Sequence, residues 1–206
     1  ICWNSDRGIE NKGSATVHSA NVYNNGILYT TFNGQTDNYK YNTADTCAGI
    51  RNVGRGTLSM TGSKVSSNQS KGITSGENAS VTLSGVQING NQGTGFINHG
   101  QGTINSGNFY GNANHGASND GTLSISNGNF YSNAASGVNS TGTLTIKGGC
   151  FRNNFSHGVA IGGGTANIYN GNFGTYSTDG GKTWVTNAGN VGDGIRTKKA
   201  TTNVYG

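Results

Sequence analysis

Over most of the chain, apolar and polar residues alternate for four or five positions and then break at a corner rich in glycine and asparagine. Leu58 and Met60, Val81 and Leu83, Leu123 and Ile125, and Leu144 and Ile146 fall on one side of these runs. Thr57 and Ser59, Ser80 and Thr82, Thr122 and Ser124, and Thr143 and Thr145 fall on the other. A period of two predicts short strands with one buried face. A further short strand offers one inward residue per copy, at Val22, Val65, Ile88, Phe109, Phe130, Phe151 and Phe173.

The pattern itself recurs. A glycine followed by an apolar residue opens each copy, at Gly8, Gly26, Gly49, Gly72, Gly95, Gly116, Gly137, Gly158 and Gly194, with spacings of 18, 23, 23, 23, 21, 21, 21 and 36. GTLSISNGNFYSN at 121–133 and GTLTIKGGCFRNN at 142–154 are the clearest pair of copies. No copy can bury its apolar face alone, so the copies must stack as coils of one elongated domain over residues 1–206. Three residues after most third-strand anchors stands an asparagine: Asn25, Asn68, Asn91, Asn112, Asn133 and Asn154. With coils about 4.8 Å apart, these amides form a ladder in which each side chain bonds the next, at a corner where Asn also tolerates a left-handed backbone.

Coil length, inward columns and the Asn ladder together resemble the right-handed parallel β-helix superfamily, the architecture of pectate lyases, tailspikes and many repeat-containing bacterial surface adhesins. The resemblance covers residues 8–173 and 191–206 and implies an all-β, right-handed parallel β-helix (solenoid) of about nine turns, with 21–23 residues per turn. It is specific for fold and leaves function open. A left-handed hexapeptide solenoid would need a six-residue subperiod, which these residues lack.

Composition fits a thin, continuous core: Gly 37, Pro 0 and only 31% hydrophobic residues. Charged residues make up 10%, the net charge is +5, and Arg196, Lys198 and Lys199 are the one basic cluster, which argues against nucleic-acid binding. No apolar run is long enough to insert in a membrane and no signal-peptide pattern is present. The start at Ile1 reads as a processed mature protein or an excised fragment. Three cysteines cannot all pair within one chain. A Cys2–Cys47 disulfide and three unpaired thiols are alternatives, with Cys150 left free or bonding between chains.

Two segments interrupt the repeat. Residues 28–47 hold no clean copy and read as a distorted turn carrying an aromatic loop, with Tyr29, Phe32, Tyr39 and Tyr41 as possible ligand contacts. Residues 174–190 are an insertion whose Ser177-Thr178-Asp179-Gly180-Gly181-Lys182-Thr183-Trp184 resembles the Asp-box hairpin. Its Asp caps backbone amides, and Trp184 packs on the hairpin or stacks on a sugar ring.

Chemistry beyond this is sparse. Carboxylates are spread over different turns without a D-x-D pair; the nearest candidates, Asp37 with Asp45 and Asp179 with Asp193, read more simply as turn caps. His115 and His157 recur at one position and read as surface residues, while His99 and Asp120, one coil apart, can hydrogen-bond. No metal, cofactor or catalytic residue is expected. Thr57, Ser80, Gln101, Thr122, Thr143, Thr165 and Thr201 form one outward column, and Ser59, Thr82, Thr103, Ser124, Thr145, Asn167 and Asn203 a second, resembling the faces of ice-binding solenoids apart from the Gln and Asn interruptions. The expectation is a non-enzymatic extracellular or cell-surface structural and adhesive protein, associating end to end into a filament or forming part of a stalk. A polysaccharide-binding or polysaccharide-cleaving module and an ice-binding protein are the alternatives.

Overall fold

The alternating runs do form strands, and strands from successive coils pair in parallel. A computed structural model describes residues 1–29, 39–41, 47–174, 176–177, 184–185 and 189–205. Eight strands make a first sheet, from Ile9–Asn11 through Ala48–Asn52, Lys71–Ser75 and Phe96–Asn98 to Ile195–Thr197. Eight make a second, from Ser14–His18 through Thr57–Thr61 and Ser80–Ser84 to Thr201–Val204. A third sheet holds six, from Asn21–Tyr23 to Cys150–Arg152. The molecule is a parallel β-solenoid whose middle coils repeat every 21 residues, as in Leu123↔Leu144 and Phe109↔Phe130.

The count of nine turns needs correction. Ile9 stacks directly on Ile50, so the Gly26-Ile27 copy is not a rung. Ile27–Tyr29 instead pairs antiparallel with Tyr39–Tyr41, so these residues form a hairpin pair and not a distorted turn of the stack. The spacings of 18 and 23 are therefore one coil and its insertion. In the second insertion Tyr176↔Val185 and Ser177↔Trp184 pair antiparallel, and the stack resumes at Ile195.

Inward residues form continuous columns. Leu58, Met60, Ile88, Phe109, Leu123, Phe130, Leu144 and Phe151 are fully buried. The rings of Phe109, Phe130, Phe151 and Phe173 stack with centroids 4.6, 5.0 and 5.0 Å apart. Each buried ring contributes about 1.5–3 kcal/mol by removal from water, and each stacked pair about 0.5–1.5 kcal/mol more.

The repeated G-x-F phrase now has a cause. A Cβ on Gly128 would first meet the Phe130 ring at 3.1 Å, and on Gly107 or Gly149 it would meet the carbonyl one coil earlier at 2.8 or 2.7 Å and the ring two residues later at 3.3 or 3.4 Å. Where the anchor is the smaller Ile88, that position holds the buried Val86. The ring takes the volume that the side chain before it would fill, so glycine accompanies phenylalanine.

The glycine opening each copy is a close-approach site of another kind. A Cβ on Gly116 would lie 2.6 Å from the carbonyl of Gly137 and 2.9 Å from Asn133 Nδ2. The Asn ladder passes against this glycine, and the two columns require each other.

Candidate functional surface

The Asn ladder is more extensive than expected. Each Oδ1 accepts from the side-chain Nδ2 and the backbone N–H of the Asn one coil earlier, as Asn133 does from Asn112 at 3.0 and 3.3 Å. The same pattern links Asn25, Asn68, Asn91, Asn112, Asn133 and Asn154, then continues to Asn190 at 3.0 Å and begins at Asn4. Counting three forward from the third strand misses both ends. Counting five back from the inward residue of the next first-sheet strand finds them, because Asn4 precedes Ile9 and Asn190 precedes Ile195 by that interval. The left-handed residue at this corner is not the ladder Asn but the one before it: Asn24, Ser67, Gly90, Gly111, Ser132 and Asn153 have φ between 52° and 62°.

The two possible disulfide partners are not joined. Cys2 extends the third sheet through a bridge to Tyr23, whereas the buried Cys47 leads into the first sheet and its thiol donates to Asp6 Oδ1 at 3.0 Å. Cys150 is half-buried, and burial holds its thiol above the ordinary range, with Arg152 opposing the shift.

Outside the core, side chains are tied rung to rung. On the third sheet Asn129 Nδ2 donates to Asn108 Oδ1 at 2.9 Å. Two residues on, the same outer face carries Tyr110 and Tyr131, stacked at 4.9 Å with 2° between planes, and Arg152 lies 4.7 Å over the Tyr131 ring. The rings cover each other's faces. Burial raises the Tyr131 pKa, Tyr110 adds to the shift and Arg152 opposes it, so the phenol keeps its proton. Beside this ladder runs an open groove of about 270 Å³, lined by Gln87, Ser106, Gly107, Asn108, Gly128 and Asn129 among others.

The hydroxyl columns of the second sheet stand in the expected register, Ser59↔Thr82↔Thr103↔Ser124↔Thr145↔Asn167↔Asn203. Ser80 Oγ donates to Thr57 Oγ1 at 3.3 Å and Asn203 Nδ2 to Asn167 Oδ1 at 2.8 Å. His99 Nδ1 meets both oxygens of Asp120 at 2.7 and 2.8 Å, an exposed pair.

His115 and His157 depart from the surface reading. His115 Nδ1 accepts the Ser136 N–H at 3.1 Å, and His157 Nδ1 accepts the Asp193 N–H at 2.9 Å. Burial lowers the His115 pKa, so its ring is neutral at pH 7. Each imidazole caps the backbone of the following coil.

Of the proposed contact residues, Tyr29, Tyr39, Tyr41 and Trp184 lie on the two hairpins, apart from the surface just described. Phe32, Asp37, Asp45 and Asp179 lie outside the described residues. Among the described residues no group of three or more His, Cys, Asp or Glu side chains is placed to hold a metal ion. The outer-face residues Gln87, Asn108, Tyr110, Asn129, Tyr131 and Arg152 lie within regular copies, so a reading that looks for breaks in the repeat passes over them. Their signal was available as polar and aromatic residues at fixed offsets around each inward anchor.

No protein-family model, no curated protein and no solved structure matches this chain. Its class is therefore set by architecture: a parallel β-solenoid with stacked asparagine corners.

Proposed function

We propose that this chain is a non-catalytic extracellular structural and adhesive module that holds a polysaccharide along the outer face of its third sheet. The observation that carries this reading is the groove beside the Asn108–Asn129 amide pair, with the Tyr110 and Tyr131 hydroxyls and Arg152 two residues on. Amides, phenols and a guanidinium supply the donors and acceptors that sugar hydroxyls need. They are already held in place by one another, so little side-chain freedom is lost on binding. Because the same offsets recur rung after rung, the ligand that fits best is itself repetitive.

A polysaccharide array with soluble protein tests this. Retention of one or more glycans, lost in the double variant Asn129→Ala, Tyr131→Ala with its fold intact, is the expected result. Calcium-dependent or hydrolytic cleavage of a bound glycan would replace the adhesive reading with an enzymatic one.

End-to-end association belongs to the same proposal. A head-to-tail contact between parallel stacks has no symmetry that closes it and would propagate as a filament. Sedimentation over a wide concentration range is the check, and a single monomeric species throughout would remove this part. Ice binding is the weaker reading, since Gln101, Asn167 and Asn203 break the hydroxyl columns an ice lattice would need uniform.

A further inference from the structure

His157 is clamped. Its side chain is 12% exposed, and a Cβ on Gly192 would lie 2.5 Å from its Nδ1. One ring nitrogen, Nδ1, faces the Asp193 N–H at 2.9 Å, and the other, Nε2, faces Arg196 Nη1 at 3.0 Å. Both neighbours are obligate donors. A neutral imidazole has one acceptor nitrogen, so only one of the two can be answered; a charged imidazolium answers neither. The backbone amide is fixed by the coil, with Gly158 donating to the Asp193 carbonyl at 3.0 Å, and therefore claims Nδ1. That leaves the Nε2–H and the guanidinium as two donors converging from 3.0 Å apart.

The surroundings add to this convergence. Arg196 registers with Ala160, whose small side chain leaves the guanidinium room to fold back toward His157. A cleft of about 280 Å³ opens here, with His115, His157, Ala160, Arg196 and Lys198 in its lining. His115, with Nδ1 also committed to a backbone N–H, turns a second Nε2–H outward about two rungs away, roughly 9.6 Å by the coil spacing. Among the described residues, the carboxylate paired with His157 is that of Asp193, 3.5 Å from Nδ1, the nitrogen that does not face Arg196.

We propose that this cleft binds an oxyanion, a carboxylate, sulfate or phosphate group, between His157 Nε2–H, the Arg196 guanidinium and the Lys198 ammonium. An acceptor with two or more oxygens answers both stranded donors at once, and Arg offers it a fork of N–H groups. The cleft is larger than a bare ion, and the outward Ala160 adds an apolar patch to it, which suits an anionic group borne on a larger body. The site lies apart from the third-sheet groove and does not depend on the polysaccharide reading.

The test is an NMR titration of the intact chain, following histidine ring nitrogens and protons, with inorganic sulfate, inorganic phosphate, acetate and a neutral monosaccharide as separate probes. The free protein should hold His157 and His115 as Nε2–H tautomers. An oxyanion probe should shift the His157 ring resonances saturably, and the neutral sugar should not; the probe that binds best names the ligand group. Arg196→Ala and Lys198→Ala, both at exposed positions, should each weaken binding about tenfold or more. His157→Asn keeps an acceptor for the Asp193 N–H, removes Nε2–H, and should weaken binding while the fold persists. Shifts that fail to saturate, or that survive Arg196→Ala unchanged, would overturn the proposal as an adventitious ion only. An Nδ1–H tautomer at His157 would overturn it too.

Discussion

Two corners of the solenoid use the same chemistry to different completeness. Where the third sheet turns into the first, every rung from Asn4 to Asn190 carries asparagine, and each Oδ1 from Asn25 onward accepts twice. Where the first sheet turns into the second, the column reads Asn11, Asn52, Ser75, Asn98, Asn119 and Ser140. There Asn11 Nδ2 donates to Asn52 Oδ1 at 2.7 Å and Asn98 Nδ2 to Asn119 Oδ1 at 2.8 Å, but Ser75 Oγ and Asn98 Oδ1 are buried without a partner. Ser140 Oγ still receives Asn119 Nδ2 at 3.0 Å, whereas Ser75 offers no donor that reaches Asn98 Oδ1. A ladder closes only when every member can both reach and receive, so one short residue strands its neighbour's acceptor.

Breaking the complete corner should have the largest effect. Asn133→Ala strands one of the two Asn112 Nδ2 hydrogens, the other keeping the Ile88 carbonyl, together with the Asn112 N–H, and removes the donor to the Phe109 carbonyl. Orphaned buried groups cost about 1–3 kcal/mol each, so a loss of about 4 kcal/mol is expected in denaturant unfolding. A loss below about 1 kcal/mol would mean that the ladder is ornamental.

Mending the incomplete corner should have a smaller effect of opposite sign. Ser75→Asn supplies a donor for Asn98 Oδ1, and the link from Ser75 to Ser80 has the same length as that from Asn52 to Thr57, where asparagine already fits. A gain of about 1 kcal/mol in the same measurement is expected. Destabilisation would mean that the space beneath Ser75 is already filled.

The smallest effect concerns pH, at a third column of the same rungs. The His115 pKa is depressed by burial below its ordinary value of 6.5, so the unfolded chain takes up a proton before the folded one does. Stability from this group is full above about pH 6.5 and falls as pH drops toward the folded value. His115→Asn, which keeps an acceptor for the Ser136 N–H, should flatten the unfolding midpoint between pH 6.5 and 5. An unchanged slope would place the titration elsewhere.

The fold was legible because the inward columns and the Asn corner repeat at intervals that survive any single irregular residue. Phe109, Phe130 and Phe151 announced themselves by period alone. Two things were not legible. Gly26-Ile27 carries the local mark of a rung, and only the parallel pairing of Ile9 with Ile50 shows that the chain leaves the stack there. The outer-face ladder was hidden for a different reason: polar residues on a strand are expected anywhere, and their value comes from the rung above, as when Arg152 lies over Tyr131. The His157–Arg196 meeting spans an insertion and joins residues 39 apart, an interval that no sequence period indicates.

The central claim is that function resides in columns that repeat along a rigid ladder. Calorimetric titration with oligosaccharides of increasing length, cut from whichever polysaccharide the array retains, tests it most directly. Affinity should climb with length until the ligand spans the rungs from Gln87 to Arg152, and it should fall stepwise in Asn129→Ala and Tyr131→Ala. An affinity that saturates at a single sugar and ignores both substitutions would contradict it.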